Sequence, residues 1–286
     1  MYHYDFEIAG LRLRVASALQ LRELFELQNY HRPYSPAVSA DLHYSIQLLN
    51  DDWFVQGVQV AGDEHSALYE TDTEMHRYYY WNIYSKERYV LVRSKKGDPN
   101  HYEILLQPAY LDRMLPQFRL AAFFCPEQAL LAHQALFVHA AVINWNGHGI
   151  LFTGPSGVGK STQATLWERL ESAQILNGDR GIIRLQDSCP LVYGSPYAGT
   201  SGIYRAGSAQ VRCIVVLSQA AENSLRKLTS REAFFALYPQ CTIQSWNQQF
   251  VENASTLLQQ MVSEVDVYHL ACRPDTDSVK LLKSIL

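Results

Sequence analysis

Gly154-Pro155-Ser156-Gly157-Val158-Gly159-Lys160-Ser161 decides how this chain of 286 residues is read. The stretch fits the phosphate-binding pattern GxxxxGK[ST] at every fixed position. Glycines let the backbone turn tightly enough for successive N–H groups to point inward as an anion nest. A helix that follows aims its positive end at the same place. Both flanks agree with that logic. Gly-Ile-Leu-Phe-Thr at 149–153 reads as a strand, and the residues from Ser161 to Glu171 read as an amphipathic helix. An average chain matches the pattern by chance about 1% of the time, and a chance match has no reason to sit between a strand and a helix. Lys160 is expected to reach the β- and γ-phosphates of a nucleotide, and the Ser161 hydroxyl to ligate Mg²⁺. Gly154, Ser156, Gly157, Val158, Gly159 and Thr162 complete the expected nucleotide cradle.

Upstream, Phe-Val-His-Ala-Ala-Val-Ile at 137–143 is a second strand candidate, and Asn146-Gly147 marks a tight hairpin. The loop strand should therefore pair antiparallel with the strand before it. Most nucleotide-binding proteins with this loop instead place parallel strands there, joined by helices. Downstream come Ile-Leu-Asn-Gly-Asp-Arg at 175–180 and Gly-Ser-Pro-Tyr-Ala-Gly-Thr at 194–200.

Taken together these stretches, within residues 130–220, resemble the nucleotide-binding core of HPr kinase/phosphorylase and of phosphoenolpyruvate carboxykinase. In that superfamily a histidine-bearing strand, a hairpin and the phosphate loop follow one another, with an acidic pair and a Gly-Thr-Pro-aromatic stretch later. The resemblance implies an α/β fold, a phosphoenolpyruvate carboxykinase-like P-loop domain with a mixed sheet and a central loop strand. It implies a kinase that uses ATP and Mg²⁺ to move the γ-phosphoryl group to a hydroxyl, serine above all, of a peptide, protein or small molecule. Similar stand-alone proteins accompany bacterial peptide-modification clusters. Carried over residue by residue, Asp179 would be metal partner and base, and His139 would stand beside the phosphates or metal; Arg205, with Arg180 similar, could stabilise charge on the transferring phosphoryl group as arginines do elsewhere. Two departures stand out. The family's acidic pair falls here on Gly178 and Asp179, which leaves one carboxylate. The glycine-arginine-asparagine signature of true HPr kinase is missing, so the resemblance is to its relatives. Decarboxylation of the carboxykinase type is disfavoured by the shorter chain.

Each of these residues also has a structural reading. Asp179 lies in Asn-Gly-Asp, a good turn sequence. A lone histidine in an apolar strand, such as His139, is commonly a hydrogen-bonded core residue. Arg205 and Arg180 could be solvated arginines, and Tyr197 a packing residue. Asp187 is the next acid downstream. A nucleotide-gated binding or regulatory module, which transfers nothing, is the alternative function, and Gly178 is its best support.

The rest of the chain has a different texture. Thirteen of the 18 tyrosines lie between Tyr2 and Tyr110. Tyr4, Phe6 and Ile8 alternate with polar residues, as do Leu11, Leu13 and Val15, and Leu42, Tyr44, Ile46 and Leu48, which is the period of half-buried strands. Further strands are expected at 77–84, 89–93 and 102–106, with a turn at 94–100 and a short helix at 19–27. This β-rich, antiparallel N-terminal domain should occupy residues 1–115, with 107–118 as the junction and the nucleotide-binding domain at 116–286. After it come a helix at 127–135, a strand at 211–217, helices from Ser230 and near 250–262, a strand at 265–270 and a last helix at 278–285.

Composition excludes other classes. The chain is 48% hydrophobic and 18% charged, ordinary for a protein with a real core. Its 24 basic and 28 acidic residues give a net charge of −4, against the basic excess of a dedicated nucleic-acid binder. The aromatic run at 78–81 is then read as sheet faces rather than a stacking platform. Ten histidines show no metal spacing. Five scattered cysteines without a CxxC, no long apolar run and no secretory pattern point to a cytoplasmic protein with no membrane or nucleic-acid partner. A homo-oligomer is left open.

Overall fold

The computed structural model describes residues 1–21, 24–49, 57–117, 119–199 and 201–286. The chain divides into two compact units, Met1–Ala129 and Leu130–Leu286. Residues 119–129, set beyond the junction by the sequence, thus group with the first unit. Phe124 is buried there, and its carbonyl accepts a hydrogen bond from the Tyr44 hydroxyl at 3.1 Å.

The first unit holds β1 (Tyr2–Ile8), β2 (Leu11–Ser17), β3 (His31–Arg32), β4 (Leu42–Leu48), β5 (Val58–Gly62), β6 (Ser66–Glu70), β7 (Glu74–Asn82), β8 (Glu87–Lys95) and β9 (His101–Leu106). They form a sheet in the order β3-β1-β2-β4-β9-β8-β7-β6-β5. The expected antiparallel pattern needs correcting, because β2 pairs with β4, and β4 with β9, in parallel. Chain length is the cause. Parallel neighbours need a crossover of roughly a dozen residues or more. The chain between β2 and β4 is long enough, and β5 to β8 intervene between β4 and β9. The short strands β5, at the sheet edge, and β6 beside it escaped the sequence reading. The expected helix at 19–27 falls partly on residues 22–23, outside the described residues, and a 3₁₀ turn covers Phe25–Tyr30. Phe118 of the junction is also outside them, and the turn α1 (Leu111–Met114) lies within it. Phe6, Val15, Tyr44, Ile46 and Ile104 fill the core. Tyr78 is buried too, and Trp81 packs edge-on against Tyr89, so the aromatic run is sheet face.

The second unit begins within α2 (Glu127–Ala132), which stops short of the expected residue 135. The apolar run that follows is drawn into a strand instead. That strand is β10 (Ala135–Trp145), followed by β11 (His148–Thr153), α3 (Lys160–Glu171), β12 (Gln174–Asn177), β13 (Arg180–Gln186), β14 (Cys189–Tyr193), β15 (Ser208–Gln219), β16 (Ser224–Lys227), α4 (Ser230–Leu237), α5 (Gln248–Glu264), β17 (Asp266–Cys272) and α6 (Thr276–Lys283). Asn146 and Gly147 both have positive φ, 52° and 87°, as a two-residue hairpin requires. β10 and β11 accordingly pair antiparallel, Ala140 opposite Thr153 and Trp145 opposite His148. On its other edge β11 pairs parallel with β15, and β15 parallel with β17, so the sheet is mixed and the loop strand is interior. Helices cover both faces. Ala164 and Trp167 of α3 pack with Val279 and Leu282 of α6 over Ile143, Ile150 and Phe152. Leu237 of α4 and Phe250, Leu257 and Met261 of α5 pack over Val138, Val142 and Ile214. At about 25 cal/mol per Å² of apolar surface, each fully buried Leu or Phe contributes ~2 kcal/mol. These two layers hold the ends of β10, β11 and β12 still relative to one another.

Candidate functional site

Strand β11 ends at Thr153, and α3 begins at Lys160. The six residues between turn through three positive-φ glycines, Gly154 at 137°, Gly157 at 77° and Gly159 at 113°. A side chain at 157 or 159 would meet open space, so those glycines answer to backbone conformation rather than crowding. Ser156 stands exposed at the loop crest, and Lys160 is buried. The Lys160 Nζ donates to the carbonyls of Gly154 at 3.0 Å and Pro155 at 3.1 Å. Burial pushes its pKa down, while the nearby Asp179 carboxylate pulls it back up. Among the described residues this buried ammonium has its own loop's carbonyls as partners and no counter-anion in hydrogen-bond contact, and an anion in the loop would complete it.

Opposite the loop, the end of β12 and the start of β13 present Gly178, Asp179 and Arg180. The Ser161 hydroxyl donates to the Gly178 carbonyl at 3.3 Å, which puts the first turn of α3 beside the acid. Asp179 Oδ1 lies 2.8 Å from His139 Nε2, with the two side chains 33% and 41% exposed. The Thr153 hydroxyl donates to the His139 carbonyl at 2.8 Å, tying the base of the loop to the histidine strand. Arg180 is directly opposite His139 in the β10–β13 ladder, hence on the same face. The structure thus gathers His139, Lys160, Ser161, Asp179 and Arg180.

Arg205 does not join them. Its guanidinium donates to the Ile175 carbonyl at 2.7 Å and lies 3.8 Å from Glu168, on the third turn of α3. Asp187 occupies the β13–β14 turn with φ 50°, a strand's length from the loop. Tyr197 packs edge-on against Phe137, as its packing reading requires. Thr200, the last residue of the 194–200 stretch, lies outside the described residues.

One residue at the site escaped sequence reasoning. Asn177 is fully buried, and its Oδ1 accepts from the backbone N–H of Asp179 at 2.8 Å and of Arg180 at 2.7 Å. Its Nδ2 donates to the carbonyls of Ser195 at 3.0 Å and Tyr197 at 3.1 Å. It pins the acid-bearing turn to the segment that carries Ser195 and Tyr197. Asn at the head of Asn-Gly-Asp signals a turn, but nothing in one sequence announces its second set of partners. The same segment explains the departure at Gly178. A Cβ there would lie 2.1 Å from the Ser201 Oγ, so any side chain at 178 requires the segment to shift.

Two further features bear on ligands. A cavity of about 400 Å³ opens beside the loop, lined by Gly157, Val158, Gly159, Thr162, Gln219 and Arg273 among others. No group of three or more His, Cys, Asp or Glu among the described residues could hold a metal unaided. A Mg²⁺ ion would take Ser161 and Asp179 together with oxygens of a phosphate ligand, and that hard oxygen donor set fits it.

Fold and site define a mixed α/β protein with two mixed sheets and a glycine-rich strand–loop–helix element facing a histidine–aspartate pair. No family model and no curated protein matches the chain. Among solved structures, the Hpr(Ser) kinase/phosphatase from Coxiella burnetii is similar over 52% of this chain and 95% of that one, at 12% identity and a TM-score of 0.32. Among the described residues no helix is long and apolar enough to cross a membrane.

Proposed function

We propose that the second unit is an ATP-dependent phosphotransferase of the HPr kinase-like type, with a phosphoenolpyruvate carboxykinase-like P-loop core, moving the γ-phosphoryl group to a hydroxyl. The acceptor is proposed to be a serine of a peptide or protein, or a small molecule, rather than nucleic acid or lipid, and the setting cytoplasmic. One observation carries this reading: the buried Lys160 ammonium and the Ser161 hydroxyl face, across one cleft, an aspartate gripped by a histidine. Loop N–H groups and Lys160 would hold the phosphates, and the cavity beside Thr162 and Gln219 has room for the nucleoside. Mg²⁺, held by Ser161 and Asp179, would supply charge neutralisation. Phosphoryl transfer asks chiefly for positioning and charge stabilisation, so a single carboxylate suffices. Asp179 takes the acceptor's proton, His139 orients it through the 2.8 Å contact, and Arg180 in place of Arg205 faces the developing charge.

The second reading, a nucleotide-gated binding module, is favoured by the absent acid at Gly178. ADP release on incubation with Mg²⁺ and ATP separates the two. Turnover in the wild type that is lost in Lys160→Ala supports transfer. A thermal shift with ATP but no ADP release supports the binding module. No shift with any purine nucleotide refutes both.

A further inference from the structure

The segment that crowds Gly178 carries a hydroxyl of its own. The Gly202 N–H donates to the Gly199 carbonyl at 3.1 Å, with Gly202 at φ 64°, and Gly199 comes up against the acid. Two missing side chains let it come so close. A Cβ at Gly199 would lie 2.5 Å from the Asp179 Cγ and 2.8 Å from its Oδ2, and the Cβ position of Gly178 is the one that meets the Ser201 Oγ at 2.1 Å. Ser201 therefore stands where the family's second acidic side chain would begin, one residue from the acid that remains. Its hydroxyl accepts from the Ile203 N–H at 3.3 Å and donates to nothing among the described residues. The neighbouring hydroxyls of Thr153, Ser161 and Ser195 all spend their protons on backbone carbonyls. Ser201 is also exposed, so its hydroxyl is open to a ligand.

We propose that Ser201 is a phosphoryl acceptor built into the chain, a cis-autophosphorylation site that occupies the place of the external hydroxyl. The inference rests on the proposed phosphotransfer. In the step, the Ser201 Oγ bonds to the γ-phosphorus of a nucleoside triphosphate, and the bond from that phosphorus to the β,γ-bridging oxygen breaks. The nucleoside diphosphate leaves, and the hydroxyl proton passes to the Asp179 carboxylate. The product carries about −1.5 to −2 charge close to Asp179.

The test incubates the purified full chain with Mg²⁺ and ATP and maps phosphate by tandem mass spectrometry. One phosphate on Ser201 is expected, absent in Lys160→Ala and in Ser201→Ala, formed at a rate per molecule that dilution leaves unchanged. No phosphate on Ser201, in a protein that ATP stabilises against heat, overturns this inference and leaves the proposed function standing. Labelling whose rate rises with protein concentration overturns transfer in cis. A protein that ATP neither stabilises nor labels loses the inference and the proposed function together.

Discussion

Replacing Asp179 by Asn separates chemistry from binding at this site. The two side chains have nearly the same shape, and an Asn Oδ1 can still accept from His139 Nε2, now 2.8 Å from the Asp179 Oδ1. The carboxylate is 33% exposed and the imidazole 41%, so solvent screens their attraction, and the pair is worth no more than about 1 kcal/mol of stability. In a unit of this size that is a fall of roughly 2–4 °C in melting temperature. The Asn177 carboxamide continues to hold the backbone of residues 179 and 180, so the turn keeps its place. Chemistry should respond far more strongly. Removing a general base costs about 10²-fold or more, or ~2.7 kcal/mol of barrier at 1.36 kcal/mol per tenfold. The assay measures initial rates of ADP release, with ATP affinity by isothermal titration in the same buffer. ATP affinity within about tenfold of wild type, together with the rate loss, is the expected result. Full turnover in Asp179→Asn refutes the role given to this acid, and an equal loss of affinity and rate assigns it to metal and nucleotide holding alone.

Three other substitutions follow from the same geometry. Asn177→Ala strips the partner from the part-buried N–H groups of Asp179 and Arg180, at up to about 1–3 kcal/mol for each group left unsatisfied. It should lower the melting temperature and reduce ADP release more than ATP affinity, whereas an unchanged rate refutes its positioning role. Gly178→Asp, which places a second acid beside Asp179, should destabilise by ~1–3 kcal/mol through overpacking against Ser201. The loss should shrink when Ser201→Gly is added, and chemical denaturation of the double-mutant cycle measures that coupling. In the first unit, Asp5 is fully buried and paired with Arg14 at 2.8 Å and Arg12 at 3.1 Å. The Arg14 hydrogen bond holds its pKa below the unfolded value of 3.8. Its contribution is therefore present above that value and lost as pH falls through the folded one. Asp5→Asn should cost about 3 kcal/mol at neutral pH, and the difference from wild type should narrow in acid; a gap constant down to low pH counts against the pairing.

What the sequence made legible was whatever rests on local rules. The loop, the Asn146-Gly147 hairpin, the helix after Lys160 and the antiparallel partner of β11 depend on residues adjacent in the chain, and the structure has all of them. Parallel pairing of β2, β4 and β9 was not legible, because alternation marks a half-buried strand without saying which way its neighbour runs. The same limit governed the site. His139 and Asp179 could be nominated from their surroundings, but their contact spans forty positions and depends on two strand registers. Arg205 and Arg180 looked alike in sequence. Only the tertiary fold tells them apart, sending one guanidinium to Ile175 and Glu168 and leaving the other opposite His139.

Gly178 is where the transfer and binding readings part. A glycine at 178 without a structural purpose would have open space where its Cβ would stand. That space holds the Ser201 hydroxyl, and the Cβ position of Gly199 is likewise taken by the Asp179 side chain. The surviving carboxylate is at the same time oriented by His139, its backbone is fixed by Asn177, and it remains a third exposed. Orienting an acid while leaving it open to solvent does little for folding, since a half-exposed pair contributes no more than about 1 kcal/mol. It does much for a proton acceptor, whose efficiency depends on reaching a hydroxyl at hydrogen-bond distance. A module that only binds nucleotide would use the loop, Lys160 and at most the Mg²⁺-holding capacity of Asp179, and gains nothing from that carboxylate's reach to a hydroxyl. The two readings therefore differ in what they ask of Asp179: transfer makes its reach to a hydroxyl set the rate, whereas binding alone leaves that reach without consequence.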